Sequence, residues 1–224
     1  MKKICLSVLV LSALAAGYVQ AADTTTVTLT GTITTGSCTP TLSVASIDFG
    51  NISTESLSTT HQTTPKESTL TITCDSAMAV GFKFTDNKVD SVDGNNDGTV
   101  EATNNAFGIG FTDSNKTTPL GNAVVGVGKD VVSNADLAPL IDGNQAIVLQ
   151  TNNPFDISTW GTAVTKADTT YTYALAAPAG TEPAAFTAAT VPLSVALNLN
   201  SADKLNLTAD APIEGQITID VVYL

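Results

Sequence analysis

Short rows of apolar residues spaced by two recur along this chain, and no stretch after the first twenty residues repeats at helical spacing. Val27, Leu29 and Ile33 share a row with Gly31, and every residue between them is threonine. Leu70, Ile72 and Cys74 form another row, as do Val80, Phe82 and Phe84, and Phe107, Ile109 and Phe111. Tyr171, Tyr173 and Leu175 alternate in the same way. Leu193, Val195, Leu197 and Leu199 form a longer row, and Ile217, Ile219, Val221 and Tyr223 close the chain. Ile47–Phe49, ending at Gly50, and the apolar run 146–149 add two shorter strand signals. Period-two alternation places one face in a core and the other in water, so each row predicts a half-buried β-strand. Clusters of Gly, Asn, Asp, Ser and Pro at 93–97, 114–119 and 178–183 separate the rows. Many short strands with turn signals between them predict an all-β sandwich. Two stretches, 86–105 and 177–189, are polar or rich in Ala, Pro and Thr, and are expected as surface loops or peripheral hairpins.

The first residues explain why this sheet protein starts as it does. Met1-Lys2-Lys3 precedes an apolar run from Ile4 to about Ala16, and Val19-Gln20-Ala21 supplies small residues before a cleavage point. This is the pattern of a secretory signal peptide over residues 1–21. The run is too short to span a bilayer. Export with no direct membrane insertion is therefore expected, with a mature chain of roughly 200 residues.

Charge and cysteines narrow the function classes. The chain has 21 acidic residues against 9 lysines, no arginine and a net charge of −12. An anionic partner such as nucleic acid is thereby disfavoured. Cys5 leaves with the leader, so Cys38 and Cys74 remain as an even pair in an oxidising compartment, which predicts one disulfide.

Catalytic and metal chemistry find little support. His61 is the single histidine and lies in a polar Thr-rich segment, without a Gly-x-Ser-x-Gly elbow elsewhere. No enzyme and no cofactor is expected. Asp93, Asn95 and Asp97, with Gly98 following, match the first half of a calcium loop, but Asn104 stands where the bidentate glutamate belongs. That spacing reads first as an Asx/Gly turn and only weakly as a calcium site. Trp160 offers a ring that could stack on a sugar or pack its loop onto the sheet.

Four features in chain order resemble the pilin subunits of chaperone–usher fimbriae. They are the alternating N-terminal strand with Gly31 ahead of Cys38, and Cys38-Thr39-Pro40 leading to 44–50. They continue with Leu70-Thr71-Ile72-Thr73-Cys74, and with Gly215 followed by the terminal strand with Tyr223 penultimate. The resemblance implies an incomplete immunoglobulin-like β-sandwich, residues 37–224, preceded by a donor-strand extension at 22–36. It implies polymerisation by donor-strand exchange with neighbouring fimbrial subunits, after a periplasmic chaperone and an outer-membrane usher have handled the chain. The chain would travel through the periplasm to the cell surface and support adhesion there as a shaft or adaptor subunit. Val27, Leu29 and Ile33 would fill a neighbour's groove, with Gly31 at its narrow point. Ile217, Ile219, Val221 and Tyr223 would wall the groove, and the carboxylate of Leu224 would anchor the chaperone. The alternatives are that Val27–Ile33 completes its own sheet, and that the chain is a self-contained secreted β-sandwich binding glycan, protein or calcium.

Overall fold

A computed structural model describes residues 36–57, 61–93, 95–96, 99–100, 104–128, 138–163 and 166–224. The expected signal peptide and the strand Val27–Ile33 lie outside these residues. The strands in chain order are β1 (Cys38–Leu42), β2 (His61–Gln62), β3 (Lys66–Asp86), β4 (Asn95–Asn96), β5 (Thr99–Val100), β6 (Phe107–Gly108) and β7 (Gly121–Val127). They continue with β8 (Leu140–Ile141), β9 (Asn144–Gln145), β10 (Ile147–Thr151), β11 (Gly161–Thr162), β12 (Thr172–Ala176), β13 (Ala185–Leu199) and β14 (Ile217–Tyr223). A short α-helix, α1 (Ala202–Leu205), lies between β13 and β14. The protein is all-β, as the alternation predicts.

The architecture turns on β3. Its first half pairs with β1 on one side and β13 on the other, in register Cys38↔Cys74 through Leu42↔Leu70 and Val191↔Leu70. Its second half pairs with β14, Tyr223↔Val80 through Ile217↔Asp86, and with β12. Strand β13 continues to β7, and β12 continues to β10 and β11. One antiparallel sheet thus curls around β3, whose two halves serve different neighbours. Leu70, Ile72 and Cys74 in the first half and Val80, Phe82 and Phe84 in the second are all buried, so a single period of two points inward across the bend.

The curl closes on an aromatic centre. The ring centroids of Phe82 and Tyr173 lie 5.7 Å apart in a stack, and Phe84 meets Tyr173 edge-on at 5.6 Å. The Tyr173 hydroxyl accepts the backbone N–H of Asp168 at 2.7 Å. Burial pushes the Tyr173 phenol up to about 12, because the charged form would lose its hydration.

Cys38 and Cys74 form the expected disulfide, placed on a directly paired position of β1 and β3. Three expectations need correction. Ile47–Phe49 is not a strand; its residues follow β1 outside any ladder. The stretch 177–189 is not all loop, because β13 starts at Ala185. Asp142, at the β8–β9 turn, takes the backbone N–H groups of Thr187 and Ala188 at 3.0 and 2.9 Å, stabilising a register shift that lets this Ala- and Thr-rich segment stay paired. The row Phe107–Phe111 yields only the two-residue β6. The stretch 86–105 does carry the peripheral hairpin β4–β5.

Candidate functional site

Strands β1 and β14 each pair with β3 and with no other strand among the described residues, so both are sheet edges. They approach at one end, where the backbone N–H of Cys38 donates to the Tyr223 hydroxyl at 2.9 Å. Away from that end an apolar groove of about 210 Å³ opens between them.

The local sequence explains each wall. On one side Ile217 and Ile219 project from β14, preceded by Ile213 and Gly215. On the other, Leu42 ends β1, and Val44, Ile47 and Phe49 follow. That second wall has no ladder of its own. Ser68 holds it instead: its hydroxyl donates to the Val44 carbonyl at 2.9 Å and accepts the Val44 N–H at 3.2 Å. Backbone bonding from Ser43 N–H to the Thr69 carbonyl at 2.9 Å fixes the same turn. The floor is Phe84, Ile109, Val125, Leu193 and Leu197, all buried. Ser68 is the sole side-chain hydroxyl of the lining, and no charged side chain contributes. Such a trough between two open edges offers backbone hydrogen bonds along its rim and apolar burial in its depth, which is what an added strand requires.

Gly215 lies on this wall between Ile213 and Ile217, near the groove's far end. A Cβ there would meet the Gly108 carbonyl oxygen at 3.4 Å and Ile109 Cγ2 at 3.5 Å, ordinary van der Waals contact with the floor. Beyond it the groove opens into a second cleft of about 930 Å³ between segments 47–54 and 207–213, with Ile47, Phe49 and Ile213 common to both.

The residues singled out from the sequence divide as follows. Ile217 and Ile219 line the groove, whereas Val221 packs on the core short of it. Tyr223 is 50% exposed and reaches Cys38, and Leu224 is 38% exposed with its N–H on the Ala79 carbonyl at 3.3 Å. Val27, Leu29, Gly31 and Ile33 lie outside the described residues. The wall formed by Leu42, Val44, Ile47 and Phe49 has no signature in the sequence, since only tertiary apposition brings it opposite β14.

The other candidates are engaged in packing or pairing. Asp93 accepts Lys204 Nζ at 2.7 Å and Asn200 Nδ2 at 2.8 Å through one carboxylate oxygen. An ammonium thus already neutralises the first position of the calcium-like sequence; Asp97 and the side chain of Asn95 lie outside the described residues. No group of three or more His, Cys, Asp or Glu side chains able to hold a metal occurs among the described residues. Trp160 is buried to 8% exposure against Leu149, Ala174 and Ala176, which withdraws its ring from ligand stacking. His61 sits in β2, paired with Leu199.

Comparison with known proteins adds two findings. A family described as "Protein of unknown function (DUF1120)" matches residues 27–134. That span takes in the alternating row 27–33, both remaining cysteines, β1, β3 and β7. Over almost its whole length the chain is also similar to the Escherichia coli (strain K12) "Uncharacterized protein YhcF". The two are 29% identical over 235 residues, covering 95% of this chain and 96% of that protein. Neither description states an activity, a ligand or a partner.

Proposed function

We propose that this chain is a structural subunit of a surface fimbrium, polymerising by donor-strand exchange and supporting adhesion. In this reading the curled sheet is an incomplete immunoglobulin-like sandwich, and the groove between β1 and β14 is the place of its missing strand. The observation that carries the reading is that groove: apolar throughout its depth, uncharged, and bounded by two strands whose outer edges lack a ladder partner among the described residues.

The donor is the Val27–Ile33 strand of a second copy or a related subunit. It has the length required, because the groove-lining stretch Ile213–Ile219 and the donor row are each seven residues and span about 23 Å at roughly 3.3 Å per residue. Val27, Leu29 and Ile33 would enter the trough, and Gly31 would sit where it is shallow. A strand that fills another molecule's groove makes a heterologous contact that does not close on itself, so the product is a fibre. Until the groove is filled, the open edges are an aggregation hazard. That is the physical reason for a periplasmic chaperone to cover them, with the Leu224 carboxylate as its anchor, before an outer-membrane usher passes the subunit on.

The test compares purified mature wild-type chain with Gly31→Trp, followed by negative-stain microscopy and size-exclusion chromatography over time. Fibre growth by the wild type, with growth at least about tenfold slower in Gly31→Trp and unchanged circular dichroism, is the expected result. Equal growth of the two chains, or a wild type that stays monomeric at high concentration, overturns the proposal.

A further inference from the structure

Along its β14 wall the apolar groove runs from Ile213 to Ile219, seven positions that the seven donor residues match, and it continues at Ile213 into the second cleft. The cleft differs in character: Asp48, Ser53, Thr54, Thr208 and Asp210 contribute polar side chains to its lining. Its occupant must therefore be a polar segment continuous with the apolar strand.

Two such segments flank the donor row. On the N-terminal side stand Ala22-Asp23-Thr24-Thr25-Thr26, and on the C-terminal side Thr34-Thr35-Gly36-Ser37. Charge separates them. The N-terminal flank would bring Asp23 to a cleft that already holds two carboxylates, a like-charge juxtaposition that costs affinity. The C-terminal flank is uncharged and consists of small residues able to donate hydroxyl hydrogen bonds to Asp48 and Asp210. Only a donor running antiparallel to β14 delivers that flank to the Gly215 end, and antiparallel pairs outnumber parallel ones.

We infer that the cleft between segments 47–54 and 207–213 is the seat of Thr34–Gly36 of the neighbouring copy, an inference that rests on the donor-strand reading. The root of this segment is fixed on its own body. Asp75 N–H donates to the Ser37 carbonyl at 3.0 Å, and Gly36 lies so close to Met78 that an added Cβ would fall 1.8 Å from its Cε. Three steps, about 10 Å, then separate Ile33 from Gly36. The cleft of one subunit thereby abuts the disulfide end of the next, and the joint between them is short.

The test uses the mature chain carrying Leu29→Asp and Ile33→Asp, so that it accepts a strand without donating one. Three synthetic peptides are titrated by calorimetry: residues 27–33, 27–37 and 22–33. The inference expects 27–37 to bind about tenfold more tightly than 27–33, and 22–33 to gain nothing. Ala209→Trp, which fills the cleft, should abolish the advantage of 27–37 while leaving the affinity for 27–33 unchanged. If 22–33 gains the advantage, or if neither flank adds affinity, the inference is overturned while the groove assignment stands. If 27–33 itself does not bind, the donor-strand reading falls and this inference with it.

Discussion

The backbone N–H of Cys38 donates to the hydroxyl of Tyr223 across 2.9 Å, joining the first residue of β1 to the last of β14. This bond sets where the two free edges converge and so where the groove ends. Tyr223→Phe leaves the Cys38 N–H without that acceptor. A net hydrogen bond contributes about 0.5–1.5 kcal/mol, and the half-exposed ring places this one at the lower end. Urea unfolding should register a loss of about 0.5–1 kcal/mol, and hydrogen exchange of the Cys38 amide should accelerate.

The disulfide beside that bond fixes β1 to β3 across a loop of 36 residues. On the chain-entropy account such a loop contributes about 4 kcal/mol, by restricting the unfolded chain. Reduction, or Cys38→Ser with Cys74→Ser, should lower the unfolding free energy by about 2–4 kcal/mol. The loss should be concentrated in exchange protection of β1, which otherwise pairs only along one edge. Equal protection of β1 in both states would contradict this placement.

The rows that could be read from sequence are those whose side chains alternate in size and polarity. Leu70–Phe84 alternates because β3 has a buried side and a more accessible one, Leu193–Leu199 alternates although the intervening Ser194, Ala196 and Asn198 are buried too, and Ile217–Tyr223 alternates along a strand that is partly exposed throughout. Strand β7 escaped notice for the opposite reason. All seven of its residues, Gly-Asn-Ala-Val-Val-Gly-Val, are buried, so no alternation marks it. Ile47 and Phe49 have strand-like composition because they face the groove, but their backbone follows no ladder. Apolar spacing reports burial, and pairing does not follow from it. Strand β1 was hidden by Pro40, which an edge tolerates on its unpaired side. One wall of the groove was thus legible in the terminal row, while the other depends on Ser68 and on the curl of β3.

Acid should act through Asp142. The backbone N–H of Ala188, then the hydroxyl and N–H of Thr187, hold its carboxyl below the ordinary value of 3.8. A carboxyl lowered in the folded state stabilises above its unfolded value, and that contribution disappears as pH falls through the lower folded value. The urea midpoint of the native chain should therefore exceed that of Asp142→Ala at pH 6. The gap should persist to about pH 4 and close below the ordinary carboxylate range. A gap that stays constant to pH 2 would show that the turn, rather than the charge, is responsible.

The buried amides form a chain whose energetics can be separated. Asn198 Nδ2 donates to Asn122 Oδ1 at 3.0 Å, and Gln62 Nε2 donates to Asn198 Oδ1 at 3.1 Å. Asn122 Nδ2 continues to the Asp93 carbonyl at 2.6 Å. Asn198 and Asn122 are both fully enclosed, so water does not replace a lost partner easily. Asn198→Ala strips Asn122 Oδ1 and Gln62 Nε2 together and should cost about 1–3 kcal/mol. Asn122→Ala should cost a similar amount, because it frees Asn198 Nδ2 and the Asp93 carbonyl. The double variant should cost less than the two single losses combined, since each single change already removes the shared bond. Chemical denaturation of the four proteins gives the cycle directly. Strict additivity would mean that the two amides do not act as one network, and that β7 and β13 are held by their backbone ladder and apolar contacts alone.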